Sequence, residues 1–312
     1  MEPVTRPYTT NTGSRLDKAV SLVFSVFAWS CAALFILILL FLIKETLPLF
    51  SDNASLSDDV GLGATSSVSP TDLFSSDGWY PSEGMFGLNP MILASLAVTL
   101  GAIVIALPVG VASALFMQFY ASAKIASAYR MLLNLLAGIP SVVFGLWGLT
   151  ELVPLIGQLQ APGVSLLAAI LVLALMIIPT VALTSAAALM VVPLDIIRGA
   201  QALGLRKKTQ MLYVILPAAR AGIVGGALLA IARALGETMA VLMVAGNVVQ
   251  TPDSLFEPVR VLTANIALEM AYAMDAHRAG LFASGLLLTL MVWLLVYLTF
   301  KVQGLNQHGG QR

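Results

Sequence analysis

Six long apolar runs dominate the sequence, and shorter polar segments separate them. Each run is built mostly from Ala, Val, Leu, Ile, Phe and Gly, and each reaches the roughly 20 residues that a helix needs to cross a bilayer. The pattern therefore predicts an all-α integral membrane protein with six transmembrane helices. The predicted spans cover about residues 19–43, 91–117, 129–150, 164–190, 219–246 and 280–300.

The composition supports a membrane protein and excludes several other classes. Of the 312 residues, 59% are hydrophobic and only 10% are charged, whereas soluble domains have about a quarter of their residues charged. The formal net charge is zero and the sequence has no basic run of the kind that binds nucleic acid, so nothing favours nucleic acid as a partner. The single cysteine, Cys31, allows no internal disulfide, and the two histidines are far apart. We expect neither a metal site nor a cofactor.

The first apolar run follows two basic residues, Arg15 and Lys18, as the apolar region of a cleaved signal peptide also does. Such a region is only about 7–15 residues long and leads to a small-residue cleavage site. The run from 19 to 43 is longer, and no such site follows it. We therefore interpret it as an uncleaved membrane anchor.

The basic residues concentrate on one side of the predicted membrane. Cytoplasmic segments of membrane proteins carry an excess of Lys and Arg. The asymmetry predicts a multi-pass protein of the inner (cytoplasmic) membrane with both termini in the cytoplasm. Twelve of the sixteen Lys and Arg lie on the side of the termini: Arg6, Arg15, Lys18, Lys124, Arg130, Arg198, Arg206, Lys207, Lys208, Arg220, Lys301 and Arg312.

The chain divides into three parts. Residues 1–90 comprise a cytoplasmic tail, the first span and an external loop; residues 91–302 hold five spans and the cytoplasmic loop 191–220; residues 303–312 form a cytoplasmic tail. The external loop, 51–87, has six acidic residues and no basic one. We expect it to be largely irregular, either as a solvated connector or as a contact surface for an external partner.

Two spans contain a related motif in which a hydroxyl residue follows a proline. The segment "GIPSVVFG" places Ser141 after Pro140, and "IIPTVALT" places Thr180 after Pro179. Proline removes a helix hydrogen bond and bends the span. The two prolines are either ordinary helix kinks or places where the backbone opens toward a central cavity.

The fifth span carries two full charges, Arg233 and Glu237, within "ARALGETMAVLMVAG". Four residues make about one helical turn, so the two side chains are expected to share a face and to pair. A charge that faces lipid is costly, so the pair should face the bundle interior or water. It is either a structural ion pair or a functional site. Upstream, Gly222 and Gly226 predict a face on which another helix packs closely.

The loop from 191 to 220, "VVPLDIIRGAQALGLRKKTQMLYVILPAAR", predicts two short helices. Asp195 suits the N-cap of the first helix, and Gly204 suits the left-handed position after it. Thr209 suits the N-cap of a second helix, "QMLYVIL", which is expected to end at Pro217. The first helix is amphipathic, and a short amphipathic helix beside a membrane needs a groove to cover its apolar face.

This loop resembles the "EAA" loop of ABC importer permeases, in which Glu-Ala-Ala precedes a fixed glycine and Leu-Pro follows. Ala200, Gly204 and the Leu216-Pro217 pair match that pattern, whereas Arg198 stands where the family has glutamate. In the family the loop docks into a cleft on the ATP-binding subunit and carries its motion into the membrane. The resemblance assigns this coupling role to Asp195, Ala200, Ala202, Leu203, Gly204, Leu216 and Pro217.

Four segments, "GIPSVVFGLWGL", "MIIPT", "LPAARAGIVGG" and "ARALGETMAVLMVAGN", resemble the permeases of the high-affinity phosphate importer, and the resemblance covers about residues 91–302. It implies a type-I ABC importer (MetI-like) core that moves inorganic phosphate by alternating access. The implied partners are a homologous second permease, two copies of an ATP-binding subunit and an external phosphate-binding protein. The residues implied to line the phosphate path are Arg233, Glu237, Ser141 and Thr180.

The chemistry of the two charged residues is compatible with phosphate. Arginine offers a planar fork of donors to phosphate oxygens, and Glu237 can accept the proton that phosphate retains. The sequence has no G-x-x-x-x-G-K-[ST] motif, so the chain is expected not to be an enzyme and to depend on a separate ATPase. The alternatives are the sister permease of the same importer, a permease for another oxyanion, and an ATP-independent channel or scaffold.

Overall fold

A computed structural model describes residues 15–50, 71–75 and 78–308 of the chain. Within these ranges six helices are long and apolar enough to cross a membrane, so the predicted number of spans is confirmed. Six crossings leave the two ends of the described chain on the same side. The candidate spans are Val20–Phe50, Asn89–Tyr120, Ser141–Leu159, Leu166–Met190, Lys207–Leu235 and Asp275–Leu298.

Thirteen α-helices, three π-helical turns and a short hairpin account for most of the described residues. The helices are α1 (Arg15–Thr46), α2 (Asp72–Ser75), α3 (Asn89–Leu115), α4 (Ala123–Gly138), α5 (Ser141–Trp147), α6 (Val153–Leu159), α7 (Leu166–Met190), α8 (Leu194–Ala202), α9 (Lys207–Gln210), α10 (Leu216–Leu235), α11 (Met239–Val244), α12 (Leu262–Glu269) and α13 (Asp275–His308). Because α8 and α12 follow successive spans, they lie on opposite sides of the bundle. We name these sides the α8 side and the α12 side.

Helix α7 forms the centre of the bundle. Its sequence is apolar all round, which is typical of a helix with neighbours on every side. Helices α3 and α10 both pack on it. A side-chain carbon placed on Gly101 of α3 would lie 2.6 Å from Ile170 Cδ1, and one on Gly110 would lie 2.7 Å from Val181 Cβ. The two glycines therefore allow α3 to approach α7 more closely than any larger residue would.

Helix α10 runs in the opposite direction to α7 and packs on it through two glycines that are one turn apart. A Cβ atom on Gly222 would lie 2.6 Å from Ala188 Cβ, and one on Gly226 would lie 2.7 Å from Thr184 Cβ. As the chain advances four residues along α10, the contact moves back four residues along α7, so the two helices are antiparallel. Small residues at such contacts let membrane helices approach and gain van der Waals packing.

The third span differs from the predicted helix over 129–150. The chain forms α4 (Ala123–Gly138), breaks, and resumes as the candidate span Ser141–Leu159. Pro140 causes the break because it has no N–H to donate and because its ring disfavours a helical conformation at the residue before it. Ile139 is accordingly extended, with φ −66° and ψ 130°.

The other prolines inside spans do not end their helices. Pro179 lies within the continuous helix α7, while Pro154 and Pro217 each follow a π-helical turn by two residues. In the second of these turns Leu216 N–H donates to Met211 O, five residues back. The wider turn accommodates a residue that has no N–H to donate to the preceding turn. The predicted helix end at Pro217 is therefore wrong, and Lys207–Leu235 forms one continuous span.

Helix α1 lies at the periphery of the bundle. None of its most apolar stretch is buried, and it packs on α13. Two aromatic pairs make this contact: Phe35 stacks on Trp293 with ring centroids 5.4 Å apart, and Phe41 meets Phe282 edge-on at 5.5 Å. The first span is therefore attached to the outside of the bundle, mainly through α13.

Part of the predicted irregular loop is folded onto the α12 side. Residues 51–70 and 76–77 of that loop lie outside the described ranges. The remainder includes an antiparallel hairpin, β1 (Trp79–Tyr80) with β2 (Met85–Phe86). Trp79 and Phe86 are 5% and 3% exposed and join the core beneath this side.

The packing of α10 on α7 predicts a stability effect at Gly226. We expect Gly226→Ala to lower the free energy of unfolding by about 1–3 kcal/mol, because the added methyl overlaps the Thr184 side chain. Gly199→Ala is the matched control, since a methyl at this glycine of α8 meets nothing within 4 Å. Thermal unfolding of the purified protein in detergent measures both variants. Equal stability of the two variants would contradict the close approach.

Candidate functional site

The fifth span breaks beside its two charged residues. Helix α10 ends at Leu235, and α11 begins at Met239 after Gly236, Glu237 and Thr238. The predicted single helix over 219–246 is therefore wrong. Glycine favours the break because it costs more backbone entropy in a helix than other residues do. The Glu237 carboxylate stabilises the break, because its Oε1 accepts a hydrogen bond from Ala240 N–H at 3.3 Å in the first turn of α11.

The break separates Arg233 from Glu237, so the predicted ion pair is not formed. Arg233 lies in the last turn of α10 and is exposed. Its guanidinium makes no hydrogen bond or ion pair with any other described residue. Its charge is favourable at the negative end of the helix dipole, but the guanidinium donors have no acceptor on this chain. A bare guanidinium on a membrane span needs water, a ligand or a partner protein beside it.

Glu237 is partly buried and has two contacts in different directions. Its carboxylate caps α11, and its backbone carbonyl accepts a hydrogen bond from Thr263 Oγ1 at 2.9 Å. Thr263 belongs to α12, which the sequence analysis did not connect with this span. The break is therefore stabilised by one hydrogen bond within the fifth span and by a second one from α12.

Ser141 lies close to the same break. Helix α5 packs parallel to α11: a Cβ atom on Gly145 would lie 2.9 Å from Ala240 Cα, and one on Gly148 would lie 3.0 Å from Val244 Cγ1. Ala240 is the second residue of α11, so Ser141, which is one turn before Gly145 at the start of α5, lies beyond the start of α11 on the side of the break. Ser141 is partly buried.

Thr180 lies on α7, which packs against α10. It is partly buried, and its carbonyl accepts a hydrogen bond from Thr184 Oγ1 at 2.8 Å. Thr184 is the residue that faces Gly226 of α10. One further turn of this antiparallel packing sets Thr180 level with Ala230, which is three residues before Arg233. Thr180 therefore lies on the part of α7 that packs beside the last turns of α10.

The predicted coupling helix is present as α8 (Leu194–Ala202) on the α8 side. Its N-cap is Pro193, so the assignment of Asp195 as the N-cap is wrong. Proline fixes φ near −65° and lacks a donor, both of which suit a helix start, and Asp195 lies instead in the first turn. Ala200 is buried, whereas Ala202 is exposed.

The residues after α8 form the left-handed turn that the sequence predicts. Gly204 has a φ of +67°, and its N–H donates to Gln201 O at 2.9 Å. Leu205 N–H donates to Ala200 O at 3.3 Å, which completes the helix end. Leu203 is 79% exposed. The apolar residues around this helix that remain exposed are Val191, Leu194, Ile196 and Leu203.

The helix that follows the turn at Gly204 leads directly to the break. Thr209 lies inside it rather than at an N-cap, and Arg206 precedes its first residue. Leu216 is partly buried and Pro217 is exposed, both within the continuous span Lys207–Leu235. This helix joins the turn at Gly204 to Arg233 without an interruption.

A buried ionic cluster on the α12 side was not recognised from the sequence. The Glu269 carboxylate accepts hydrogen bonds from Arg260 Nη1 at 2.6 Å, from Trp79 Nε1 at 2.7 Å and from His277 Nε2 at 2.8 Å. Arg260 Nη1 also donates to Asn265 Oδ1 at 3.1 Å. The cluster joins the hairpin, α12 and the start of α13.

Burial and hydrogen bonding act in opposite directions on Glu269. Burial raises its pKa, while the hydrogen bonds from Trp79, His277 and Arg260 and the charge of Arg260 lower it, and the net pKa lies below its ordinary value of 4.5. Glu269 is therefore ionised at neutral pH. The signal in the sequence was one acidic residue at the end of the apolar stretch "LTANIALE".

The fold is that of a type-I ABC importer permease. A chain from an inward-facing structure of the MetNI methionine ABC transporter aligns with a TM-score of 0.56 and 21% identity, over 72% of this chain and 98% of that chain. A second crystal form aligns with a TM-score of 0.52. The predicted all-α, MetI-like class is confirmed, and the protein is a multi-pass membrane protein.

Residues 106–308 match the family described as binding-protein-dependent transport system inner membrane component, and the protein belongs to that family. A probable ABC transporter permease, YqgH of Bacillus subtilis, is 38% identical in an alignment that covers 74% of this chain and 77% of YqgH. The phosphate transport system permease protein PstC of Xylella fastidiosa (strain Temecula1) is 34% identical over 70% of this chain and 74% of its own. The PstC of Mesorhizobium japonicum is 32% identical. The resemblance to phosphate importer permeases is confirmed, and the relatives are transport components rather than enzymes.

The lowered pKa of Glu269 predicts a specific pH dependence of stability. The carboxylate is favoured in the folded state, so its contribution is complete above the ordinary pKa of 4.5 and is lost as the pH falls through the lower folded pKa. At neutral pH we expect Glu269→Gln to lower the free energy of unfolding by about 1.5–3 kcal/mol. This deficit relative to wild type should shrink as the pH falls below 4.5 and through the lower pKa of the folded state.

Thermal unfolding in detergent between neutral and acid pH measures this effect. Glu83→Gln is the matched control, because Glu83 is exposed on the same side. A deficit of Glu269→Gln that stays constant across the pH range would show that ionisation of Glu269 does not support the cluster.

Proposed function

We propose that this chain is the permease subunit of an ATP-driven importer that moves inorganic phosphate across the cytoplasmic membrane. One observation carries the proposal: Arg233 is exposed at the broken end of a membrane span and has no acceptor among the described residues. Relatives of this chain bear the name phosphate transport system permease protein. An anion that crosses the membrane supplies the acceptor that Arg233 lacks.

The side chains around the break suit phosphate. Arginine stays charged in a low-dielectric environment and presents donors that match two phosphate oxygens at once. Ser141 and Thr180 offer hydroxyl groups that can donate to a further oxygen. Glu237 has one carboxylate oxygen, Oε2, beyond the oxygen that caps α11, and it can accept a hydrogen bond from the proton that phosphate retains. An arginine alone would attract any anion, whereas the acceptor beside it favours a protonated one.

The exposed face of α10 implies a second permease. A guanidinium that faced lipid would be costly, and a homologous PstA-like subunit that packs against this face would enclose a path between the two chains. A PstS-like binding protein would deliver phosphate on the α12 side. On this proposal the α8 side is cytoplasmic, which the concentration of Lys and Arg on that side supports.

Coupling to ATP would pass through α8. Its exposed apolar side chains suit a groove on a PstB-like ATPase, and two ATPase copies would serve the two permeases. The helix after Gly204 runs 29 residues to Leu235, or about 40 Å at 1.5 Å per residue. A displacement of the coupling turn would move this helix as a body and carry Arg233 with it. Alternating access then follows from ATP-driven movement of α8.

The site predicts that Arg233→Gln abolishes phosphate uptake while the importer still assembles. Glutamine keeps hydrogen-bonding capacity but loses the charge. We expect Arg233→Lys to recover only part of the transport, because an ammonium lacks the bidentate fork. The measurement is uptake of labelled phosphate into proteoliposomes that contain the whole importer, with labelled sulfate and molybdate as parallel substrates.

The control for this experiment is Arg130→Gln, which removes an exposed arginine of α4 on the α8 side. Near-normal phosphate uptake by Arg233→Gln would refute the proposed site. Uptake of sulfate or molybdate in preference to phosphate would assign the permease to another oxyanion, and uptake without ATP would refute coupling.

The coupling turn predicts a contrast between two substitutions at Gly204. A β-branched residue is strained at a φ of +67°, whereas asparagine tolerates this region. A Cβ atom at Gly204 would meet no atom within 4 Å, so the backbone conformation is the main difference between the variants. We expect Gly204→Val to reduce phosphate-stimulated ATP hydrolysis severalfold and Gly204→Asn to retain most of it. Equal hydrolysis in the two variants would argue against a fixed turn in the coupling loop.

A further inference from the structure

Helix α12 (Leu262–Glu269) lies against the break in the fifth span without spanning the membrane itself. Its first residue, Leu262, donates its N–H to Ser95 Oγ of α3 at 3.0 Å. The next residue, Thr263, donates its hydroxyl to the Glu237 carbonyl at 2.9 Å. Thr263 is only 8% exposed. The start of α12 is therefore bonded to two different spans.

The bond from Thr263 reaches the segment where the backbone leaves helical geometry. Backbone groups at a break inside a membrane protein need partners from elsewhere, because hydrocarbon offers none. Thr263 supplies one from 26 residues further along the chain. Threonine is stiff at χ1, so it holds its hydroxyl in place with little loss of rotamer freedom.

The far end of α12 is also fixed. Glu269 is its last residue and accepts hydrogen bonds from Arg260, Trp79 and His277. Arg260 additionally donates from Nε to Asn247 O at 2.9 Å, and Asn247 lies just beyond α11. The helix is thus held at its start by Ser95 of α3 and at its end by the cluster around Glu269, so Thr263 ties the break to an element that is fixed at both ends.

We propose that Thr263 is a positioning residue for Arg233. Its hydroxyl fixes the carbonyl of Glu237, and Glu237 in turn caps α11 through Ala240 N–H. Arg233 lies four residues before Glu237, in the last turn of α10. Loss of the Thr263 hydroxyl frees this end of α10 and spreads the guanidinium over several orientations. This inference rests on the proposed function, in which Arg233 binds phosphate.

A residue that orients a binding group changes substrate capture more than the maximal rate. We expect Thr263→Val, which keeps the shape and removes the hydroxyl, to raise the apparent KM for phosphate about three- to tenfold. Thr263→Ser restores the hydroxyl and should return the KM to within about twofold of wild type. A purely structural role would change the amount of assembled importer and leave the KM unaltered.

The experiment measures labelled-phosphate uptake against phosphate concentration in proteoliposomes that contain the complete importer. Thr46→Val is the matched control, because Thr46 is 4% exposed and its hydroxyl donates to Leu42 O of its own helix at 2.7 Å, remote from the break. Ser95→Ala is a second test, since it removes the anchor of α12 and leaves Thr263 intact. We expect Ser95→Ala to raise the KM in the same direction by a smaller factor.

Each outcome decides the proposal. A wild-type KM in Thr263→Val, or an equal rise in Thr263→Ser, overturns it. If Thr263→Val does not assemble, the KM of Ser95→Ala decides, and an unchanged value overturns the proposal. Arg233→Gln, assayed in parallel, separates the two levels: normal uptake refutes the proposed function itself, whereas lost uptake with an unaltered Thr263→Val refutes only the positioning role.

Discussion

A peptide group in hydrocarbon has no water to bond, and this constraint governs where the protein interrupts its helices. The chain is broken within its membrane bundle at Pro140 and at Gly236–Thr238. At the first break a residue without an N–H removes one donor, and Val143 N–H donates to Pro140 O at 3.0 Å. At the second break the Glu237 carboxylate and the Thr263 hydroxyl supply the missing partners. The proposed phosphate site therefore lies at a break whose backbone is supported by two side chains.

Small residues allow these breaks to lie side by side. Gly145 and Gly148 bring α5 against α11, and Gly222 and Gly226 bring α10 against α7. Without a hydrophobic driving force between helices in lipid, such close contacts provide much of the association energy. The same glycines therefore determine how closely α5 and α7 pack beside the two parts of the broken fifth span.

Two charged residues of this protein, Glu269 and Arg233, have opposite environments. Glu269 is buried and has three hydrogen-bond donors around it, one of which is the paired Arg260. Removal of either partner of such a pair leaves an unpaired buried charge, which is costly in free energy. The cluster therefore stabilises the contacts among the hairpin, α12 and α13. Arg233 is exposed on a membrane span, and none of the described residues accepts its donors. A satisfied charge supports structure, whereas an unsatisfied one requires something from outside the chain.

The sequence by itself determined the class of protein, the number of spans and the left-handed turn at Gly204. These features follow from local properties: apolar length sets a span, and the absence of a side chain lets Gly204 adopt a positive φ. The motifs around Arg233 also revealed the family. Helical spacing did not reveal that Arg233 and Glu237 are separated, because a four-residue interval assumes a continuous helix.

Only the tertiary structure decided how the broken segments are held. Thr263 bonds to a carbonyl 26 residues away, and Trp79 bonds to a carboxylate 190 residues away. Neither partner is visible in local periodicity, because each contact depends on how α12 folds back against α3, the break and the hairpin. The sequence determined which polar groups the membrane would have to accommodate, and three-dimensional packing decided which of them are paired within the chain.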